Sequence, residues 1–344
     1  MENKTYFIAE AGVNHNGSVD IARHMVDVAA DAGCDAIKFQ LFQAQQLVSG
    51  KVARAPYQGD GSQESLLEGL ELSRDQMVSL AEHATGTGLD FVCSPFDIDS
   101  ARFLADLGVP FLKVPSGEIT NLRFLQNLGK LGVPIVLSTG TATLGEVETA
   151  VGMILEGLAS APSCGGDDGP FEGGLALLHC VTAYPAPIEQ TNLRAMQKLA
   201  AVFPYPVGYS DHTVGPETAI AAVAMGACII EKHFTLDNAM EGPDHAASAS
   251  PEELAQLVGS IRLIESALGD GRKRPAACEL ENIGVVRRRV CAARDIPAGT
   301  LLADSDLLCL RAGEGVPAEQ LSLAIGRTVR RDVAFREPIT WEDV

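Results

Sequence analysis

Eight short β-rich runs, separated by stretches of helical period, constrain the fold of this chain more than any other feature. They read TYFIAEAG (5–12), AIKFQ (36–40), FVCSP (91–95), FLKVPSGE (111–118), IVLSTG (135–140), ALLHCV (176–181), VGYSD (207–211) and IIEKHF (229–234). Between them, segments such as 18–33, 73–88, 99–108 and 215–227 carry apolar residues three and four apart. Serine, aspartate or threonine often opens such a segment and glycine often closes it. Eight βα units in roughly 270 residues is the arithmetic of a (β/α)8 barrel. A doubly wound open sheet is the alternative, but no G-x-G-x-x-G follows the first run.

Each run starts apolar and ends polar. The endings are Glu10; Lys38 and Gln40; Ser94; Lys113 with Ser116 and Glu118; Ser138; His179; Ser210-Asp211-His212; and Glu231-Lys232-His233. In a barrel these ends converge on the carboxyl-end face, where barrel enzymes keep their active sites.

Two insertions interrupt the pattern. Residues 41–67 read as a long loop after the second strand, and the Gly-, Pro- and Asp-rich residues 160–174 as a mobile surface loop. The barrel is expected over 1–270, ending in a helix near 251–268. A polar linker follows at 271–283, then a small β-rich domain at 284–344. A domain of that size is expected to need docking or dimerisation.

Net charge is −19. That argues against nucleic acid or an anionic membrane as partner, so any positive charge that serves an anionic substrate must be local. The eight cysteines form no C-x-x-C pair and are expected to be buried, reduced thiols of a cytoplasmic protein. No apolar run approaches the roughly 20 residues of a membrane span, and MENKTYFIAEAG lacks the apolar core of a secretory leader.

His212 and His233 close neighbouring strands. Two imidazoles there can share one divalent metal, or be ordinary hydrogen-bonded strand ends; Asp211 and Glu231 are candidate orienters. Lys38 and Lys113, with Ser116 and Ser138, suit a phosphorylated small molecule; salt bridges to Glu10 or Glu118 are the structural alternative. Glu10 and Glu118 are candidate proton-transfer groups or sugar-hydroxyl acceptors. Asn16 reads as an N-cap, His15 as a surface residue, and Tyr184 as a hydroxyl donor or a packing group.

FIAEAGVNHNG, AIKFQ, SPFD, KVPSGEITN, LSTGTATLGE, HCVTAYPAP, VGYSDHT and IIEKHFTLDNAMEGPDH, in that order, resemble the sialic acid synthase family across almost the whole chain. RRRVCAARDIPAGTLLADSDLLCLRAG resembles its C-terminal antifreeze-like (SAF, β-clip) domain. The resemblance implies a (β/α)8 barrel enzyme that condenses phosphoenolpyruvate with the open-chain aldehyde of an N-acetylated hexosamine, as a domain-swapped dimer. It places a divalent metal, Mn2+ or Mg2+, on His212 and His233. It places phosphoenolpyruvate on Lys38, Lys113, Ser116, Ser138 and Ser210. The amino sugar falls to Gln40, Glu118, Tyr184 and Asp244, with Glu10 near the aldehyde and Arg311 reaching in from the partner. The chain departs from the usual pattern at Thr182, at Thr141 and in RAGEG (311–315).

APYQ (55–58), PSGEITN and YPAP look closer to bacterial members making N,N'-diacetyllegionaminate than to those making N-acetylneuraminate from N-acetylmannosamine. Competing readings are a metal-dependent pyruvate aldolase and a non-catalytic sugar- or ice-binding protein. The Arg- and Asp-rich tail disfavours the last.

Overall fold

The computed structural model describes residues 4–49, 62–161 and 174–344. Its strands are β1 (Tyr6–Gly12), β2 (Ala36–Leu41), β3 (Asp90–Pro95), β4 (Leu112–Val114), β5 (Ile135–Ser138), β6 (Leu175–Cys180), β7 (Val207–Asp211) and β8 (Ile229–His233). They pair in chain order and close, β8 onto β1, into one barrel. Every barrel pair is parallel. The expected (β/α)8 barrel is the observed one.

Helices form where the sequence supplies both an apolar stripe and a cap. Ser18 caps Val19–Asp31, and capping boxes pair Ser73 with Gln76, Thr143 with Glu146, and Ser250 with Glu253. Asn16 is therefore not the N-cap. It sits two residues earlier at φ +50°, and His15, expected at the surface, is buried. β4 is shorter than expected because Pro115 has no N–H to give the ladder. The chain leaves the sheet there and winds into a 3-10 turn, Ser116–Glu118.

The main core lies between the outward faces of the strands and the helices. A smaller one, including Ile8, Ala36, Val92, Phe111, Val136, Leu178 and Ile229, fills the barrel interior.

The chain divides into two compact units, Met1–Gly269 and Asp270–Val344. The second contains an antiparallel pair, β9 (Arg288–Ala292) and β10 (Leu307–Arg311), and further bridges such as Ile296 to Val333. It has its own core around Val290, Ile296, Val316, Val329 and Ile339. Part of the expected linker is helical: a 3-10 turn at Ala277–Glu279 runs into a short helix, Leu280–Val286.

Helices at Ala44–Leu47 and Gln63–Glu68 occupy parts of the segment expected as one loop over 41–67. Residues 50–61 with APYQ, and most of the loop expected at 160–174, lie outside the described residues. Among the described residues the cysteines are unpaired, Cys278 is exposed rather than buried, and no helix is long and apolar enough to cross a membrane.

Candidate active site

A strand sends alternate side chains to opposite faces, so residues two apart share a face. Two residues beyond the apolar interior positions, the inward positions become Glu10, Lys38, Ser94, Lys113, Ser138, Cys180, Ser210 and Glu231. All eight are buried. The barrel is thus apolar below and polar above, and the change falls at one step along each strand.

The same parity corrects three expectations. Asp211 and Lys232 point outward and pair with each other at 2.7 Å, with Lys232 also donating to Thr213 O. Asp211 therefore does not orient an imidazole. His179 also leaves the cup, its Nε2 2.7 Å from Thr191 O. Strand six contributes Cys180 instead.

In the cup, Lys38 Nζ lies 2.7 Å from Glu10 Oε2 and 3.6 Å from Glu231 Oε2. Lys113 Nζ lies 3.1 Å from Glu231 Oε1, which also accepts from Ser210 Oγ at 2.9 Å. Glu231 is the hub of both lysines, a role the sequence reading gave to Glu10 or Glu118. The two carboxylates are driven apart. Burial raises Glu10 above the usual carboxylate range despite Lys38. Burial also pushes Glu231 up, but Lys113 and Lys38 outweigh it and hold the group at about 2. Burial pulls Lys38 down, yet Glu10 and Glu231 more than offset it, so its net shift is upward. Such a split leaves one carboxyl, Glu10, able to hold a proton, and the other, Glu231, as the counter-ion of the lysines. With Glu10 protonated, two ammonium groups face one carboxylate, leaving positive charge for an anion.

The imidazoles of His212 and His233 lie above this cluster with ring centroids 5.6 Å apart. Tyr184 packs against both, at 4.3 Å from His212 and 5.7 Å from His233. His212 Nδ1 is 2.7 Å from Val181 O, a pure acceptor, so Nδ1 carries the proton and Nε2 keeps its lone pair. His233 Nδ1 is buried and, among the described residues, has no hydrogen-bond partner. Burial lowers the pKa of both rings, His233 further because His212 and Lys38 stand near it. His212 Nε2, which lies 3.3 Å from Ser210 Oγ, and one ring nitrogen of a neutral His233 fit a divalent cation. Among the described residues no third protein donor joins them, so water or substrate oxygens would complete the shell.

A hydroxyl cradle lies on strands four to six. Ser116 Oγ accepts from Gly140 N at 2.9 Å and lies 3.1 Å from Cys180 Sγ. Ser138 Oγ is buried and has no partner among the described residues. Isolated buried polar atoms are uncommon, and two here, Ser138 Oγ and His233 Nδ1, mark a place where a ligand completes the bonding. A Cβ on Gly140 would meet Thr182 Oγ1 at 2.4 Å, Ser116 Oγ at 2.8 Å and Cys180 Sγ at 3.0 Å. Gly140→Ala is therefore expected to raise the KM for an anionic donor about tenfold, the cost of displacing roughly one charge-assisted hydrogen bond. Steady-state kinetics with donor and acceptor varied separately check it; an equal rise in both KM values would contradict it.

The remaining candidates are more dispersed. Gln40 Nε2 is 3.3 Å from Glu10 Oε1, at the cup. Glu118 accepts from Asn121 Nδ2 in the turn after β4. Asp244 is half-buried in the loop after β8, and burial raises its carboxyl to about 6. Arg311 is exposed at the end of β10 in the second unit. Sequence reasoning missed Cys180 and the hub role of Glu231; period-two counting from Ile229 and Leu178 would have found both.

The sequence matches the NeuB family over residues 25–273 and the SAF domain over residues 287–344. It is 42% identical over 334 residues to an N,N'-diacetyllegionaminic acid synthase of Campylobacter jejuni, covering 96% of this chain and 97% of that one. It is also 42% identical over 344 residues to the Legionella pneumophila protein of the same name, covering 98% and 94%. A solved N-acetylneuraminic acid (sialic acid) synthetase of Leptospira borgpetersenii, in complex with citrate, is 36% identical with a TM-score of 0.71, covering 82% of this chain and 90% of that one.

Proposed function

This chain belongs to the NeuB family and carries a SAF domain, and from that premise we propose that it condenses phosphoenolpyruvate with the aldehyde of an N-acetylated hexosamine, making a nine-carbon sugar acid and phosphate. The observation that carries the proposal is the pairing, inside one barrel mouth, of a cup holding two lysines with two neutral imidazoles.

Lys38 and Lys113 hold the anionic donor, with Ser116, Ser138 and Ser210 as hydroxyl partners. Orienting the donor's methylene carbon toward the aldehyde is the entropic part of the work. As the carbon–carbon bond forms, the aldehyde oxygen takes up a proton and becomes a hydroxyl; Glu10, the carboxyl held high by burial, is placed to give it. Water then adds at the donor's second carbon and phosphate leaves. Mn2+ or Mg2+ on His212 and His233 would supply Lewis acidity at the aldehyde oxygen. Gln40, Glu118, Tyr184 and Asp244 bind the amino sugar, joined by Arg311 of the partner subunit in a domain-swapped dimer. The enzyme works in the cytoplasm.

The favoured product is N,N'-diacetyllegionaminate, supported by the names of the two relatives at 42% identity. A second reading, N-acetylneuraminate from N-acetylmannosamine, draws on the Leptospira structure. Phosphate release with each acceptor in parallel separates them. A diacetamido-tetradeoxy hexose is expected to give the higher kcat/KM; preference for N-acetylmannosamine would reverse the assignment.

Asp244 adds a pH test. As pH falls through about 6 its carboxylate is protonated and loses acceptor capacity toward sugar hydroxyls. The acceptor KM is expected to rise over that range in the wild type, and Asp244→Asn to remove the step. A step that persists in Asp244→Asn would assign it to another group.

A further inference from the structure

Asn14 and Asn16 play no part in the chemistry above, yet their side chains are engaged with the loop after β8. Asn14 Nδ2 donates to Phe234 O at 2.8 Å and to Ser248 Oγ at 2.9 Å. Asn16 Nδ2 donates to Glu241 O at 2.8 Å, and Asn16 Oδ1 lies 3.3 Å from His245 Nε2. His245 has no exposed surface, and its Nδ1 is 2.6 Å from Thr235 Oγ1.

The proton positions follow from this geometry. Glu241 O can only accept, which commits Asn16 Nδ2 as donor and leaves Oδ1 as acceptor. His245 Nε2 must then carry the hydrogen. Burial lowers the pKa of this imidazole, so Nδ1 is left to accept from Thr235.

The loop needs such pins. Its two ends meet where Phe234 bridges Ala249, and its only regular piece is the turn His245–Ala247. Side chains brace much of the rest: Asn238 Nδ2 donates to His245 O and Ser248 O, and Ser248 Oγ to Asp244 O. Gly242 lies against the contact itself. A Cβ there would stand 2.6 Å from His245 Cδ2 and 2.8 Å from Asn16 Oδ1. The two loops follow β1 and β8, neighbours in the barrel whose residues Glu10 and His233 are direct partners.

We infer that Asn16 and His245 form a latch between the loops after β1 and β8, and that this latch fixes Asp244 for the acceptor sugar. Both are positioning residues. The inference rests on the proposed reading of Asp244 as an acceptor contact.

The test compares Asn16→Ala, Gly242→Ala, His245→Gln and Asp244→Ala in the full-length enzyme. Acceptor KM, phosphoenolpyruvate KM, kcat and amide exchange over 235–249 are measured for each. Asn16→Ala is expected to raise the acceptor KM about tenfold, the scale of leaving the buried His245 N–H without its acceptor. It should leave the donor KM within about twofold and speed exchange in the loop. Gly242→Ala, which removes no polar group, should do the same. His245→Gln keeps a donor and an acceptor on one amide and should retain most of the wild-type acceptor KM. An unchanged acceptor KM in Asn16→Ala and Gly242→Ala, with a raised one in Asp244→Ala, overturns the latch and leaves the proposed function standing. An unchanged acceptor KM in Asp244→Ala overturns the reading of Asp244 and the inference with it. A parallel rise of both KM values with global loss of stability also overturns it.

Discussion

Lys113→Ala is expected to lower kcat/KM for phosphoenolpyruvate by about 1,000-fold, because losing one buried charged partner of an anionic ligand costs about 2–5 kcal/mol of its binding. The charge arithmetic of the cup gives the direction. Lys113 Nζ stands 3.1 Å from Glu231 Oε1, and Lys38 is 3.6 Å from the other oxygen of the same carboxylate. Without Lys113, Glu231 and Glu10 face a single ammonium, and an anionic donor enters a site with no positive charge to spare. Lys113→Arg should rescue little, since a planar guanidinium does not replace a compact ammonium. The double variant Lys113→Ala/Glu231→Gln should recover part of the loss, because the buried carboxylate no longer lacks its partner. A double-mutant cycle reads that coupling. Strict additivity of the two changes would contradict the hub role of Glu231.

His233→Ala carries the second large effect. Turnover is expected to fall about 1,000-fold or more, in line with loss of several kcal/mol of charge stabilisation from a Lewis acid. Mn2+ binding, followed by electron paramagnetic resonance without substrates, should weaken in parallel. Stability should barely change. The wild-type side chain carries a buried nitrogen without a partner among the described residues, and removing an unsatisfied polar group relieves about 1–3 kcal/mol, offsetting the cavity left behind. A purely structural histidine would give the reverse: a large loss of thermal stability and unchanged Mn2+ binding.

The barrel and its cup were legible because a strand has a short, strict period. Runs such as AIKFQ and IIEKHF announce both the strand and the step at which apolar gives way to polar. The same rule, applied residue by residue, would have sent Asp211, Lys232 and His179 outward and brought Cys180 and Glu231 inward. Reading whole endings rather than faces produced those errors. β4 shows a local override, where Pro115 ends the ladder and a turn delivers Ser116 and Glu118. Loops carry no period, so nothing in NHNG told that His15 is buried or that Asn16 reaches across to Glu241 and His245. Those contacts join residues more than two hundred positions apart, and the acceptor end of the site, built from such loops, was legible only by resemblance.

Phosphate release from phosphoenolpyruvate with Mn2+, measured with and without the diacetamido-tetradeoxy hexose and beside borohydride treatment of the enzyme with pyruvate, distinguishes a condensing synthase from an aldolase. Release is expected only when acceptor is present, with one phosphate for each sugar acid formed and no trapped adduct. Condensation from pyruvate, with a borohydride-trapped lysine and no phosphate, would contradict it and make this barrel an aldolase.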